Sequence, residues 1–266
     1  MLIEVNPGVR LFVQDWGEGT PVVFIHGWPL SHRVFENQMI SITRSGHRAI
    51  GIDLRGFGQS DKPWQGNDYD TWAEDIRRVI VTLDLHDVLL AGFSMGGAIA
   101  MHYAAAKNDP RVTKLALIGA AGPLFSKRQD NPNGMPFEEI EASLKAALTD
   151  RPKLARDLGA VNFHKPASPE FYRWLENIRM EASPHATIRG LEELRDRDLR
   201  SELRKIRIPT RIFHGVHDRV VSFQLAEEQH RLIRDSLIIP FYNSGHGLFY
   251  DEGDKLNEEL DLFLDQ

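Results

Sequence analysis

The chain has 266 residues, which is enough for one large α/β domain or two small domains. Its formal net charge is −6 with acidic and basic residues interspersed, which excludes the basic stripe typical of proteins that bind nucleic acids or anionic membranes. The absence of cysteine excludes disulfides, thiolate metal sites and a cysteine nucleophile. Since the sequence has neither a signal-peptide pattern nor an apolar run of membrane-spanning length, we expect a cytoplasmic protein; self-association is left open.

Short apolar runs predict the strands in chain order. The runs Leu2–Val5 and Leu11–Asp15, separated by a turn at Asn6-Pro7-Gly8, predict an opening antiparallel pair. Further strands are predicted at Val22–Ile25, Arg48–Ile52, Val88–Ala91, Leu115–Ile118, Arg211–Phe213 and Leu237–Ile239. Several of these runs are apolar at every position, as parallel strands covered on both faces must be.

Helical patterns alternate with the strands, at 32–44, 70–84, 95–107, 222–234 and 254–264. This alternation predicts an α/β fold with a mostly parallel, doubly wound sheet of eight strands. Residues 123–205 differ, because they contain four helical patterns near 137–149, 151–158, 169–181 and 186–200 and little that predicts a strand. We therefore expect a core formed by residues 1–122 and 206–266, with a helical cap inserted at 123–205.

Ser94 lies in the sequence Gly92-Phe93-Ser94-Met95-Gly96, directly between the strand Val88–Ala91 and a helix that begins near Met95. A G-x-S-x-G turn from strand to helix holds the serine in a strained backbone and presents its hydroxyl to a cleft. Any side chain at either glycine would collide with the turn or with the adjacent strand. The alternative is a glycine-rich turn that only packs strand against helix, but the position between these two elements favours a nucleophile.

A nucleophilic serine needs a base, an acid that orients the base, and donors for the developing oxyanion. Asp218 and His246 each follow a late strand, so they are expected at the same edge of the sheet as Ser94. His246 would accept the serine proton, and Asp218 would fix the tautomer of the imidazole. An ordinary imidazole titrates near pH 6.5, so the rate of hydrolysis should decrease as the pH drops below about 6.5. The backbone N–H groups of Trp28 and Met95 are the predicted oxyanion donors.

The other histidines and acids have simpler interpretations. His26 and His214 end apolar strands beside glycine, which is typical of packing or loop-fixing residues. Asp53 is expected to hold a loop after its strand. His217 and Asp218, together with His214, lack further ligands at helical spacing, so no metal site is predicted.

These motifs resemble the α/β-hydrolase superfamily over nearly the whole chain, and within it the cofactor-free bacterial haloperoxidases and their arylesterase relatives. The segments that carry the resemblance are His26–Leu30, Asp53–Asp61, Pro63–Thr71, Gly92–Gly97, Pro123–Phe125, His214–Asp218 and Pro240–His246. The resemblance implies the α/β-hydrolase fold, no cofactor, and esterase activity on short apolar or aryl esters through an acyl-enzyme on Ser94. It also implies perhydrolysis, in which hydrogen peroxide attacks the acyl-enzyme and the resulting peracid oxidises halide without a metal.

The resemblance further implies a substrate pocket. Its predicted members are Trp28, Pro29, Phe125, Val221 and Phe223, with Met95 beside them. Pro29, which follows the aromatic residue of the oxyanion loop, is a feature of members that favour perhydrolysis. None of the segments that carry the resemblance lies in the cap from about 137 to 205, so the resemblance implies least about substrate specificity there. Its aromatic residues Phe163, Phe171, Tyr172 and Trp174 are interpreted mainly as the core of the cap.

Several other functions use the same parts. Haloalkane dehalogenases and epoxide hydrolases share the architecture but have an aspartate nucleophile, so Ser94 argues against both. A lactonase, an amidase or a carbon–carbon bond hydrolase would keep the same three side chains. A ligand sensor with very slow turnover is the alternative outside the enzymes.

Overall fold

The structure, a computed structural model, describes the backbone of residues 1–266 and all side chains except those of Ala160 and Val161. One sheet is built from β1 (Leu2–Asn6), β2 (Val9–Trp16), β3 (Pro21–Ile25), β4 (Arg48–Ile52), β5 (Val88–Phe93), β6 (Val112–Ile118), β7 (Thr210–Gly215) and β8 (Ser236–Phe241). Its strand order is β1-β2-β4-β3-β5-β6-β7-β8. β2 pairs antiparallel with β1 and β4, and all other pairs are parallel. The predicted mostly parallel, eight-stranded sheet is confirmed.

Helices cover both faces of this sheet. They are α1 (Glu36–Arg44), α2 (Tyr69–Thr82), α3 (Met95–Lys107), α9 (Phe223–Leu232), α10 (Leu248–Asp251) and α11 (Gly253–Leu264). Along β3, Val23 and Ile25 pack in the core with α2 and α3, whereas Val22 and Phe24 pack in the core with α1 and α11. Burial on both faces explains why the strand is apolar at every position.

The chain between β6 and β7 is helical. It forms α4 (Phe137–Thr149), α5 (Arg151–Asn162), α6 (Pro169–Met180), α7 (Pro184–Asp196) and the short α8 (Arg200–Leu203). The pattern predicted at 186–200 is thus two helices with a break after Asp196. Ser168 and Ser183 set the starts of α6 and α7, because each hydroxyl accepts a hydrogen bond from a backbone N–H in the first turn. In both helices a proline follows the capping serine.

We call α4 to α7 the cap helices. α4 packs on α5 and α7, and α5 packs on α6. The first turn of α7 is tied to the core, because the Ser183 N–H donates to the Gly56 carbonyl at 2.8 Å. The boundaries 1–122, 123–205 and 206–266 for core and cap stay a prediction. Over the residues described, none of the helices has the length and apolar composition that a membrane span requires.

Candidate active site

Ser94 lies in the turn between β5 and α3. Its backbone is in the left-handed region, with φ 54° and ψ −119°, which costs a non-glycine residue about 1–3 kcal/mol. Neighbouring groups hold this conformation: the Ser94 N–H donates to the Ile118 carbonyl at 3.0 Å, and the Ser94 carbonyl accepts from the Gly97 and Ala121 N–H groups at 2.9 Å each. The hydroxyl is thereby fixed at the carboxyl end of β5.

Two glycines allow the turn to be this tight. A methyl group on Gly92 would run into the backbone of Gly96 and Gly97. A methyl group on Gly96 would run into the carbonyl oxygens of Ile25 and His26 on the neighbouring strand and the loop that follows it. The spacing of the motif therefore follows from how closely α3 crosses β3 and β5.

The structure brings the three predicted side chains together. His246 Nε2 lies 3.0 Å from Ser94 Oγ, and His246 Nδ1 lies 2.8 Å from Asp218 Oδ2. A carboxylate can only accept, so Nδ1 carries the proton and donates to Asp218, which leaves Nε2 free to accept from the Ser94 hydroxyl. Ser94 and His246 are 7% and 3% exposed, so this hydrogen-bonded chain is largely shielded from water.

Asp218 is built to remain ionised. Its Oδ1 accepts from the N–H groups of Val220 and Val221 at 2.8 Å each. Burial alone would raise the pKa of this carboxyl, but the adjacent imidazoles of His246 and His214 outweigh burial and hold the pKa well below its ordinary value. A permanent negative charge therefore faces His246 Nδ1.

His214 has a contact with the site that sequence reasoning did not find. It is fully buried on β7, with Nε2 at 2.8 Å from the Val221 carbonyl and at 3.3 Å from Asp218 Oδ2. It was predicted as a packing or loop-fixing residue, and it does bridge the turn after β7, but it also contacts the acid. The spacing of four residues between His214 and Asp218 is the one sequence signal that pointed to this contact.

The loop after β3 adjoins Ser94. A methyl group on Gly27 would come within 2.9 Å of Ser94 Cβ, so this loop and the serine are in close contact. His26 fixes the loop, because its Nδ1 donates to the Gly27 carbonyl at 2.9 Å and its Nε2 accepts from the Leu54 N–H at 3.1 Å. Burial lowers the pKa of His26, which keeps its ring neutral in this role.

The two predicted oxyanion donors flank Ser94. Trp28 follows Gly27 in the loop after β3, and Met95 is the first residue of α3, where the helix dipole favours negative charge. Among the described residues, neither backbone N–H donates to a protein acceptor. Both are thus free to bind an oxygen that becomes negative beside Ser94.

A cavity of about 340 Å³ adjoins Ser94 and His246. Its walls are mainly apolar, and its lining is Trp28, Leu30, Phe93, Ala121, Phe125, Met135, Ile140, Ala142, Leu158, Leu191, Leu194 and Val220, with the polar groups Glu139, Ser143, Asn162 and Arg219. A site of this size and polarity fits a small, largely apolar ligand.

Of the predicted pocket residues, the structure places Trp28 and Phe125 in the lining. Pro29, Val221 and Phe223 are not among the described residues that line the cavity. Val221 is fully buried in the core, where its N–H donates to Asp218 and its carbonyl contacts His214.

The neighbours Arg219 and Val220 take the position at the cavity that sequence reasoning gave to Val221. Phe223 packs edge-on against the His214 ring, with the ring centroids 5.9 Å apart.

The cap helices supply lining residues that sequence reasoning missed, among them Ile140, Leu158, Leu191 and Leu194. Their signal was amphipathic spacing, which predicts a buried face but not what that face covers. The cap aromatics lie elsewhere: Phe171 stacks on Tyr250 at 4.0 Å and packs against Trp174 at 5.3 Å.

The comparison with known proteins agrees with this geometry. Residues 20–253 match the family model described as the alpha/beta hydrolase fold. The chain is 49% identical over 261 residues to the AB hydrolase superfamily protein YisY of Bacillus subtilis, covering 98% of this chain and 97% of that protein.

Two solved structures are similar over essentially the full length. An esterase from Exiguobacterium antarcticum superposes with a TM-score of 0.97 at 41% identity, covering 100% of this chain and 99% of that chain. A bromoperoxidase from Bacillus anthracis superposes with a TM-score of 0.96 at 33% identity, with the same coverage. The resemblance to esterases and haloperoxidases drawn from the motifs is confirmed, and the chain belongs to the alpha/beta hydrolase family.

Proposed function

We propose that this protein hydrolyses small apolar or aryl carboxylic esters through an acyl-enzyme on Ser94, with perhydrolysis as a side activity. The observation that carries the proposal is the hydrogen-bonded chain from Ser94 through His246 to Asp218, which lies at the edge of an apolar cavity of about 340 Å³. That the relatives include an esterase and a bromoperoxidase supports both parts of it.

The geometry supports the following acylation step. The Ser94 oxygen attacks the ester carbonyl carbon while His246 Nε2, 3.0 Å away, takes the hydroxyl proton. The imidazolium that results is stabilised by the ionised Asp218, and the carbonyl oxygen, now negative, accepts from the N–H groups of Trp28 and Met95. Collapse of the intermediate breaks the bond to the alkoxy oxygen, which leaves as the alcohol with the proton from His246.

Deacylation repeats these steps with a second nucleophile. Water attacks the acyl carbon and gives a proton to His246. The bond from the acyl carbon to Ser94 Oγ then breaks, His246 returns the proton to Ser94, and the carboxylic acid is released. Hydrogen peroxide in place of water yields the peracid, because its terminal O–O–H group is retained on the acyl carbon. Neither reaction needs a metal, because His246 takes the proton from the attacking oxygen and gives it to the leaving oxygen.

Replacing Ser94 tests the proposal. We expect Ser94→Ala to lower kcat for a chromogenic acetate ester by about 10⁴-fold or more, because the acyl-enzyme can no longer form. Ser201→Ala, an exposed serine on α8, is the control and should keep wild-type turnover. Near wild-type turnover by Ser94→Ala would remove Ser94 from the mechanism.

An ester panel separates the remaining alternatives. We expect sustained release of alcohol over many turnovers, whereas a ligand sensor would release one equivalent and stop. Lactones and amides in the same panel would identify a lactonase or an amidase by faster turnover than the matched esters. When hydrogen peroxide is added, the yield of peracid should rise as peroxide competes with water for the acyl-enzyme. Formation of the carboxylic acid alone at every peroxide concentration would contradict the perhydrolase activity.

A further inference from the structure

Asp251, at the end of α10, is a buried carboxylate that the mechanism above does not use; it is 6% exposed. Its Oδ2 accepts from the N–H groups of Gly245 and His164 at 2.8 Å each, and its Oδ1 accepts from the N–H of Lys165 at 3.1 Å. Gly245 directly precedes His246, whereas His164 and Lys165 lie between α5 and α6. One carboxylate therefore joins the loop of the proposed base to the cap.

The cap segment 162–165 also packs directly on this loop. The Gly247 N–H donates to the Asn162 carbonyl at 2.7 Å. A methyl group on Gly245 would come within 3.0 Å of the Asn162 carbonyl oxygen and the His164 nitrogen. The residues on both sides of His246 are thus in contact with the cap, and Asn162 also lines the cavity.

The neighbouring Glu252 has a different set of contacts. Its Oε2 accepts from the Asn243 N–H at 2.9 Å and from the Ser244 hydroxyl at 2.6 Å. Both partners belong to the loop before His246, and neither belongs to the cap. Glu252 therefore stabilises the loop by itself, whereas Asp251 connects the loop with the cap.

We infer that Asp251 is a positioning residue: it holds the imidazole of His246 against Ser94 only while the cap segment 162–165 is seated. This inference rests on the proposed function, because it treats His246 as the base. Its consequence is that movement of the cap changes the position of the base as well as access to the cavity.

Asparagine cannot replace this carboxylate. An amide has a single acceptor oxygen, and its NH₂ group would face at least one of the three backbone N–H donors. Gly245 or the cap segment would then lose its acceptor, and a buried donor without a partner costs about 1–3 kcal/mol. The loop of His246 would separate from the cap although the side-chain volume is unchanged.

The first measurement is kcat for a chromogenic ester, normalised to the active sites counted by burst amplitude. We expect Asp251→Asn to lower kcat by about 10- to 100-fold, the loss that a displaced catalytic group of this kind causes. Asp254→Asn is the matched control, because this exposed carboxylate makes no hydrogen bond or ion pair with any residue described. It should stay within about twofold of wild type, as surface changes usually do.

A double-mutant cycle separates positioning from a general loss of stability. If Asp251 acts through His246, then Asp251→Asn should not change the residual rate of His246→Ala. A fall by the same factor in both backgrounds would overturn the inference. Should Asp251→Asn fail to fold, Asp251→Glu, which keeps a carboxylate of the wrong length, is used in the same cycle.

A second readout does not depend on turnover. The proton on His246 Nδ1, which is hydrogen-bonded to Asp218, gives a low-field NMR signal that should broaden or shift in Asp251→Asn and stay unchanged in Asp254→Asn. An unchanged signal together with an unchanged kcat would overturn the inference. Absence of ester turnover in the wild type would instead contradict the proposed function, and this signal would still test the role of Asp251.

Discussion

Asp218 shows how the arrangement of one side chain sets the chemistry of another. Its Oδ1 is occupied by two backbone N–H groups, which leaves Oδ2 for His246 and His214. The turn at 218–221 thereby fixes which carboxylate oxygen faces the imidazole. A neutral side chain of the same shape would have to satisfy the same two backbone donors.

We expect Asp218→Asn to lower kcat by about 10⁴-fold, as the loss of the orienting acid does in comparable triads. The amide oxygen would stay with the N–H groups of Val220 and Val221, so the NH₂ group would face His246 Nδ1. That donor favours the tautomer protonated on Nε2, which cannot accept the Ser94 proton. The measurement is kcat at pH 7.

Asp235→Asn, an exposed carboxylate between α9 and β8, is the control for this experiment and should retain full activity. Replacing the orienting acid of a Ser-His-Asp triad by its amide lowers kcat by about 10⁴-fold. A loss of less than about tenfold in Asp218→Asn would therefore show that another group fixes the tautomer of His246.

At the scale of an element, α7 packs against Trp28 in the loop after β3. The Trp28 indole donates from Nε1 to the Thr187 carbonyl at 2.8 Å. One turn further along α7, a methyl group on Gly190 would come within 2.7 Å of Trp28 Cδ1 and within 3.3 Å of Met95 Sδ. The helix therefore packs against both residues whose N–H groups are proposed to bind the oxyanion.

We expect Gly190→Ala to lower kcat by about 10-fold or more, because the displaced Trp28 would carry its backbone N–H away from the oxyanion. Complete loss of such a donor lowers kcat by about 10²–10³-fold. The indole cannot simply swing aside, since Nε1 is held by Thr187. Alanine is the better helix former by about 1 kcal/mol, so the helix itself should not be weakened.

Gly159→Ala on α5 is the matched control, because its new methyl group would meet Tyr172 Cδ1 at 3.2 Å and Arg179 Nη1 at 3.7 Å, and no atom of the loop after β3. Equal kcat values for the two alanine variants would contradict the proposed role of the contact between α7 and Trp28.

At the scale of the whole molecule, the carboxyl groups whose pKa values are lowered outnumber those whose pKa values are raised. The lowered group consists of Asp53, Asp61, Asp70, Glu74, Asp157, Asp196, Asp198, Asp218 and Glu252. Burial raises the pKa values of Asp75 and Glu193, which act in the opposite direction. We therefore expect the unfolded chain to bind more protons than the folded chain in acid.

The sign of the pH dependence follows. A carboxyl whose pKa is lower in the folded state than in the unfolded state contributes its full stabilisation at pH values above the unfolded-state pKa of about 4. This contribution is lost as the pH falls through the folded-state pKa. We expect the free energy of unfolding, measured with urea, to fall steadily from pH 5 to pH 3. A rise over this interval would contradict the assignment.

Glu74 is one source of that loss. The hydrogen bond from Arg77, helped by Lys107 and opposed by burial, lowers the pKa of Glu74 to about 2. Glu74→Gln should therefore reduce the loss of stability between pH 5 and pH 3, and the same urea measurement on the variant checks this. An unchanged slope would mean that these surface ion pairs contribute nothing, as many do.

Much of the fold was predictable because its signals are local. The run Val22–Ile25 is apolar at every position and is bounded by a proline and a glycine region, as expected for a strand buried on both faces. The gathering of Ser94, Asp218 and His246 was predictable for a related reason: each follows a parallel strand, and the carboxyl ends of such strands share an edge.

The cavity was predictable only in part, because its walls depend on contacts between distant elements. Val220 and Val221 are adjacent and alike, and both donate to Asp218, yet Val220 lines the cavity whereas Val221 is buried in the core with its carbonyl against His214. Likewise, the spacing of Leu191 and Leu194 on α7 predicts that they are buried, but not that they cover the cavity. Helix periodicity does not identify the partner of an apolar face.

The contact between Ser94 and His246 joins positions 152 residues apart in the chain. During synthesis, the hydroxyl therefore leaves the ribosome long before the imidazole does, and a nascent chain holds a serine that nothing activates. A helix such as α3 can form early, but this contact has to wait until β7 and β8 have joined the sheet, because distant pairings form late. A growing polypeptide thus lacks the contact proposed to activate Ser94 until β7, β8 and the loops that follow them have been made.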